Sequence, residues 1–532
     1  MGGSAAAIAA SVGAFSLLLA TLAGCANPHL APASPHTPWT PEALPDARPL
    51  QLTPIATTES AEGGTPADPV MGADGAPTLA HATPANPRFN LPAIAAAGHT
   101  LAPPADLPSH PLSLPELIDL AQRHNPTTRI AWEQARQAAQ AVGTAEALFL
   151  PQITAAAVAG YQRSKVPLPL ALGSINHVDT SVSGVIPAIT LQWLLFDFGE
   201  REAIAEGARQ LAFGANVQFQ AAHQLLIQAV ALAYYPYDAA RSRTTIATEA
   251  LRNSEAIARA VTERRRAGLA TIVEESQARQ MVAQSRLGLV EAQGLERDAY
   301  QALVAAVGLP PTTRFEVARL PARPMPESLA DDIQNRLDEL LARRPEVLAA
   351  YTAAQAAQHG IDAAEAAFLP KVFLAGIAAI TNNRLDISGL SLLGQPVSRA
   401  GVMLGVTLPL YDGGLRSSRL AAARSQADQA IEIWRQTQQA AALDLVTANN
   451  RLRSALEAHA AATEWVETAQ ILYDGAFEAY RHGLGTVTVA TEATNGLLAA
   501  RMARIDALTA ARVAATLLAH ATGQLTAASD VP

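Results

Sequence analysis

The chain has 532 residues, of which 16 % are charged and only 5 % aromatic. Its formal net charge of −9 argues against a nucleic-acid partner, which requires a basic face. The only cysteine, Cys25, excludes an intrachain disulfide, and the abundant alanine suits closely packed helices better than an aromatic-rich globular core.

The first element is an apolar run from Ala5 to Ala23. At 19 residues it is barely long enough for a membrane anchor. The alternative is a secretory segment, because the run ends in Leu22-Ala23-Gly24-Cys25. That tetrapeptide resembles the bacterial lipoprotein signal. The resemblance implies that residues 1–24 are a signal peptide, that Cys25 is lipidated, and that Ala26 favours outer-membrane delivery. Residues 1–7 depart from the pattern in carrying no lysine or arginine. Residues 25–112 follow as an extended tether, since 18 of the chain's 35 prolines fall between 26 and 111 and remove helix and sheet donors there.

The remainder is duplicated, with a first repeat over 113–308 and a second over 330–525. Asn125-Pro126 through Phe149-Leu150-Pro151 matches Arg344-Pro345 through Phe368-Leu369-Pro370, at an offset of 219 residues (151 to 370). Leu195-Phe196-Asp197-Phe198-Gly199 matches Leu410-Tyr411-Asp412-Gly413-Gly414, at an offset of 215 (197 to 412). Arg266-Ala267-Gly268-Leu269-Ala270-Thr271 matches Arg481-His482-Gly483-Leu484-Gly485-Thr486 at the same 215. Each repeat reads helix, two strands, very long helix, turn, helix. The strands are expected at 152–163, 180–196, 371–382 and 399–410, with loops over 164–179 and 383–398 between the members of each pair. Asp197 and Asp412, with Gly199, Gly413 and Gly414, mark strand-to-helix turns where the carboxylates serve as helix caps.

After the second such turn, Leu415 to His482 contains no proline and repeats small and apolar residues at three- and four-residue steps. A helix over all of it is about 100 Å long, too deep for an ordinary globular core. Its counterpart in the first repeat contains Pro236, which predicts a kink or break near 232–236. The proline-rich segment 309–329 joins the repeats and is expected to leave the helical wall as part of a belt. Residues 526–532 form a short tail. The run Arg264-Arg265-Arg266 reads as a solvated face.

The strands are nearly free of charge in their centres and each can span a bilayer as a tilted strand of about 9–11 residues. Four strands cannot close a barrel, and open edges in lipid are prohibitively costly; three chains supply twelve strands and leave no edge. Two readings of another class stay open: a soluble helical protein with surface hairpins, and a lipid-anchored periplasmic coiled-coil scaffold or adaptor. No histidine cluster of metal-ligand spacing, phosphate-binding loop or nucleophile elbow occurs, so neither a metal, a cofactor nor an enzymatic activity is expected.

At the paired Phe-Leu-Pro, Asp-Gly and Arg-x-Gly-Leu-x-Thr landmarks the chain resembles the TolC family of outer-membrane factors, over about 113–525. The resemblance implies an α+β fold of two helix–strand–strand–helix repeats. It implies a homotrimer whose transmembrane β-barrel continues as a long periplasmic α-helical barrel. The implied function is the outer-membrane channel of a tripartite efflux system for small toxic compounds, with type I protein secretion as the alternative. A periplasmic adaptor, an inner-membrane pump and outer-membrane lipid are the implied partners. Gly268, Leu269, Thr271, Gly483, Leu484 and Thr486 are similar to the family's adaptor-docking tips. Glu274, Tyr480 and Glu492 are similar to its periplasmic gate, where the tyrosine hydrogen-bonds a carboxylate. On that pattern Glu274→Ala or Tyr480→Phe should raise conductance. Val489 and Gly485 depart from acidic and basic positions found in some members.

Overall fold

The computed structural model describes residues 34–36, 102–104, 107–172, 175–320, 336–387, 390–393, 397–523 and 525. The apolar run, Cys25, most of the tether, residues 321–329 of the linker, residues 330–335 of the second repeat and the tail at 526–532 lie outside them.

Helix α1 (Leu114–His124) begins where Glu116 accepts hydrogen bonds from the Ser113 amide (2.8 Å) and hydroxyl (2.6 Å). Helix α2 (Pro126–Ala147) follows, capped by the Asn125 side chain, which accepts from the Thr127 amide at 2.9 Å. Strands β1 (Gln152–Leu172) and β2 (Ile175–Phe196) lead into α3 (Glu200–Arg266), a single helix of 67 residues. Helix α4 (Ile272–Val307) returns along it. The second repeat runs α5 (Leu337–Ala342), α6 (Pro345–Ala366), β3 (Lys371–Ile387), the short β4 (Leu390–Leu393), β5 (Val397–Thr407), α7 (Leu415–Arg481, also 67 residues) and α8 (Val487–Ala521). At 1.5 Å per residue each 67-residue helix is about 100 Å long.

In each repeat, two shorter helices abut end to end along the long one. Gly308 closes α4 at φ +83°, and a Cβ there would lie 2.7 Å from the Asn125 Cα that opens α2. Only glycine allows both the left-handed turn and that approach. Asn125 Nδ2 also donates to the Ala306 carbonyl at 3.0 Å. The second repeat repeats the joint: Gly523 at φ +69° lies against the Arg343 carbonyl, and Arg344 donates to the Ala521 carbonyl at 3.0 Å. Among the described residues no single core forms. Small apolar clusters are strung along the rods instead: Leu340, Leu445, Leu452 and Leu518 in one, Val466, Ala469, Leu497 and Ala500 in another. The largest gathers Leu117, Leu120, Val230, Tyr234, Leu303 and Val307 midway along α3. Alanine at the remaining contacts permits the close approach that a rod of paired helices needs.

Two expectations are corrected here. The strands are longer than their sequences suggest: β1 and β2 occupy nearly all of the expected 164–179 loop, and β3 extends to Ile387 with β4 pairing to it beyond. Continuous antiparallel register from Gln152↔Gln192 to Pro167↔His177 supplies the ladder that outweighs the proline and glycine residues there. The second correction is Pro236, which does not break α3. Residues on both sides of it are tied to one strap: the Tyr234 hydroxyl donates to the Ala318 carbonyl at 3.0 Å, and Arg241 donates to the Val317 carbonyl at 2.8 Å. Tyr234 and Tyr235 are fully buried. Burial at about 1.5–3 kcal/mol per large side chain offsets the roughly 3 kcal/mol cost of an interior proline. The strap is the described part of the linker, and Val317 in it bridges to Leu112, the last residue of the tether.

The sheet order is β1-β2-β3-β5, all antiparallel, and β1 and β5 have no further strand partner among the described residues. The register sorts its residues onto two faces. One carries Ile153, Leu191 and Val402 in line, then Ala155, Ile189, Ala378 and Ala400, with Trp193, Leu374 and Leu404 at its helical end. The other carries Gln152, Gln192, Thr154, Thr190, Lys371 and Arg399 among its members. Along β1 the first face carries no charge from Ile153 to Tyr161, roughly 27 Å at 3.4 Å per residue and close to the ~25 Å apolar band of an outer-membrane barrel, with Ser183 of β2 and Ser398 of β5 as polar members. Among the described residues no helix is long and apolar enough to cross a membrane.

Candidate functional site

The strand-to-helix turns come first, because they join sheet to rod. Asp197 is buried and accepts from the Arg201 backbone amide (3.0 Å) and from Arg201 Nε (2.9 Å). The same guanidinium donates to the carbonyls of Leu148 (3.1 Å), Leu194 (2.7 Å) and Leu195 (3.3 Å), and lies 4.7 Å from the Phe149 ring centre. Arg201 therefore staples the end of α2, the end of β2 and the start of α3. Asp412 and Arg416 repeat the arrangement: Asp412 accepts from the Gly414 and Arg416 amides (both 3.2 Å) and from Arg416 Nε (2.6 Å), and Arg416 lies 5.1 Å from the Phe368 ring. These contacts hold the Asp412 carboxyl below its ordinary range, the Arg416 hydrogen bond contributing most. Both aspartates stand two residues before the N-cap glycine and accept an amide of the first helical turn. Gly199 and Gly414 are the left-handed N-cap residues, at φ +96° and +90°. Between Asp197 and Gly199, Phe198 occupies the left-handed region at φ +56°, where the second repeat places Gly413 at +67°. The Phe196 ring packs edge-on against it at 4.6 Å.

At the opposite ends of the rods the two hairpins reverse at Gly268 (φ +75°) and Gly483 (φ +78°). Leu269 and Leu484 project beyond, 68 % and 86 % exposed. Thr271 accepts from the Glu274 amide at 3.2 Å and Thr486 from the Val489 amide at 3.4 Å, so each starts its return helix. Just inside, Ile257 and Val261 of α3, Ala278 and Met281 of α4, Tyr480 of α7, and Val487 and Ala490 of α8 form one cluster that joins all four helices.

The gate residues do not meet as the sequence suggests. Glu274 closes a capping box, its Oε2 accepting from the Thr271 amide (2.6 Å) and hydroxyl (3.0 Å). These bonds, the backbone one foremost, lower its pKa. Tyr480 is 2 % exposed, and its hydroxyl has no hydrogen-bond partner among the described residues. Within one chain, Glu274 and Tyr480 therefore make no hydrogen bond to each other. Burial raises the Tyr480 pKa, with the nearby Arg264 opposing and Glu274 adding to the rise. Glu492 is exposed on the first turns of α8.

The arginine run, expected to be a solvated face, instead engages three separate partners. Arg264 lies 5.3 Å from the Tyr480 ring centre and donates to the Tyr480 carbonyl at 3.4 Å, linking the two hairpins of the chain. Arg265 pairs across the turn with Glu275. Arg266 pairs with Glu263 at 2.7 Å in solvent. Glu275, unnoticed in the sequence, has a side chain only 3 % exposed and also accepts from Arg279 at 2.7 Å. The spacing Glu275 to Arg279, and likewise Asp197 to Arg201 and Asp412 to Arg416, is the i,i+4 pattern that sequence reasoning had available. Among the described residues no group of His, Cys, Asp and Glu is placed to hold a metal ion.

The chain matches the family model described as outer membrane efflux protein over residues 117–309 and 337–524. It is 28 % identical over 448 residues to Protein CyaE of Bordetella pertussis, covering 84 % of this chain and 90 % of the relative. It is 29 % identical over 346 residues to outer membrane protein OprJ of Pseudomonas aeruginosa, covering 64 % of this chain and 70 % of that one. Among solved structures, the outer-membrane channel OprN superposes with a TM-score of 0.67 at 21 % identity, over 77 % of this chain and 90 % of its own. The outer membrane protein VceC from Vibrio cholerae does so with a TM-score of 0.62 at 22 % identity, over 77 % and 96 %.

Proposed function

The chain belongs to the outer membrane efflux protein family, and from that membership we propose that three copies close one transmembrane barrel and one helical conduit for small toxic compounds. The observation that carries this reading is a two-faced sheet with two free edges, β1 and β5, fixed to helices about 100 Å long. Edge-to-edge pairing of three such sheets satisfies every backbone group and turns the apolar face to lipid. The helices then extend into the periplasm.

In this reading the exposed Leu269 and Leu484, on turns set by Gly268, Gly483, Thr271 and Thr486, dock a periplasmic adaptor that links the channel to an inner-membrane pump. Glu274, Tyr480 and Glu492 mark the level of the gate. Tyr480 acts there through its ring and carbonyl, gripped by Arg264, rather than through its hydroxyl. Cys25 is the lipid attachment point, residues 1–24 are removed, and residues 25–112 tether the anchor to the body. The test is reconstitution of the purified protein into planar bilayers together with fractionation of cells. Discrete channel currents and recovery in outer membranes support the conduit. A protein that sediments with inner membranes or stays soluble, and passes no current, refutes it and favours a periplasmic scaffold.

A further inference from the structure

The sheet register places one charged residue where the conduit reading gives it no structural task. Arg399 of β5 stands directly opposite Ala379, which stands opposite Ala188, which stands opposite Ala156. Directly paired residues share a face, so Arg399 lies on the face that carries Gln152, Gln192, Thr154 and Thr190 together with Ile377 and Met403. The opposite face carries Ile153, Leu191, Val402 and Leu404 and is the one fit for lipid. An arginine turned to the bilayer midplane costs about 2–4 kcal/mol, so the face bearing Arg399 is the inward one. Arg399 is exposed, and its row of alanines neither covers nor pairs it. The other cation on that face with a described side chain, Lys371, is paired with Glu200 at the helical end. No aspartate or glutamate falls on the inward face of β1, β2, β3 or β5 among the residues whose side chains are described.

We propose that Arg399 is a specificity-determining residue: three copies form a cationic ring inside the barrel that favours passage of anionic solutes and disfavours cations. The ring rests on the trimeric conduit described above. Rings of Arg or Lys select for anions by raising the local anion concentration and the barrier to cations. Because the ring faces open water, its reach is set by ionic strength: about 30 Å at 0.01 M and about 3 Å at 1 M.

The test is the reversal potential of the full-length protein in planar bilayers under a KCl gradient near 10 mM. Wild type, Arg399→Lys, Arg399→Gln and Arg399→Glu are compared. The cation-to-anion permeability ratio is expected to rise about twofold or more in Arg399→Gln and further in Arg399→Glu. Arg399→Lys should keep the wild-type value, and the differences should vanish near 1 M KCl. Equal reversal potentials in all four proteins at low salt would overturn the ring while leaving the conduit intact. So would an Arg399→Lys shift as large as that of Arg399→Gln, since charge would then not be the cause. A wild-type protein that passes no current removes the conduit itself and the ring with it.

Discussion

Arg264→Gln is expected to loosen the tip, while Tyr480→Phe leaves it closed. Arg264 makes two contacts with Tyr480, one over the ring at 5.3 Å and one to the main-chain carbonyl at 3.4 Å. A partly desolvated cation–π contact contributes about 0.5–2 kcal/mol. The long hydrogen bond adds about 0.5–1 kcal/mol, so the clamp as a whole holds the hairpins together by roughly 1–3 kcal/mol. That corresponds to a shift of about 5- to 150-fold in the ratio of joined to separated tips. Tyr480→Phe retains the ring and the carbonyl and removes only a buried hydroxyl that has no partner among the described residues. Arg266→Gln is the control, because it removes the same charge from the same helix end but breaks only a solvent-exposed pair. Single-channel conductance reads the difference: raised in Arg264→Gln, unchanged in Tyr480→Phe and Arg266→Gln. Equal behaviour of Arg264→Gln and Arg266→Gln would show that net charge, not the clamp, matters. A rise in Tyr480→Phe would restore the carboxylate–tyrosine bond as the closing contact.

Other outcomes follow from the same geometry. Arg201→Met strands the buried Asp197 and is expected to cost about 3–5 kcal/mol in thermal or denaturant unfolding, whereas the more open Arg416→Met costs about 1 kcal/mol or less; equal losses would contradict the asymmetry. Gly308→Ala combines a left-handed φ with a Cβ 2.7 Å from the Asn125 Cα, and a loss of about 2–5 kcal/mol is expected on the same scale. Glu116 and Glu274 both have pKa values lowered by their capping bonds, Glu116 to about 2. A lowered folded-state pKa stabilises above the ordinary carboxylate value and is lost as pH falls through the folded value. Hydrogen-exchange protection, taken relative to the intrinsic rate at each pH, should therefore be full at neutral pH and decline at the start of α1 as pH falls from about 4.5 towards about 2, and at the start of α4 as pH falls below about 4.5; constant protection would contradict this.

The repeat architecture was legible because duplication fixes elements twice. The paired Phe-Leu-Pro stops, Asp-Gly turns and Gly-Leu-x-Thr tips stand at the ends of the elements they were expected to bound. The uninterrupted α7 ends at Arg481, one residue before the expected end. What was not legible depends on partners distant in sequence. Whether residues 164–179 are loop or strand is decided by register with the facing strand, and local proline and glycine content points the other way. Pro236 looks like a break because the strap at Val317 and Ala318, some eighty residues on, cannot be seen from the helix itself. The arginine run looks solvated because Tyr480 and Glu275 lie in other helices. Here long-range contacts overrule local pattern, whereas the i,i+4 pairs at Arg201, Arg416 and Arg279 are local and stand in the sequence itself.

The trimeric conduit is tested most directly by the native mass and projected shape of protein extracted from membranes in mild detergent. Three chains in one particle, seen end-on as a ring with threefold symmetry and from the side as a rod longer than 100 Å, is the predicted result. A particle of one chain with no central opening would contradict it, because β1 and β5 would then keep their free edges and the apolar face of the sheet would have no barrel to belong to.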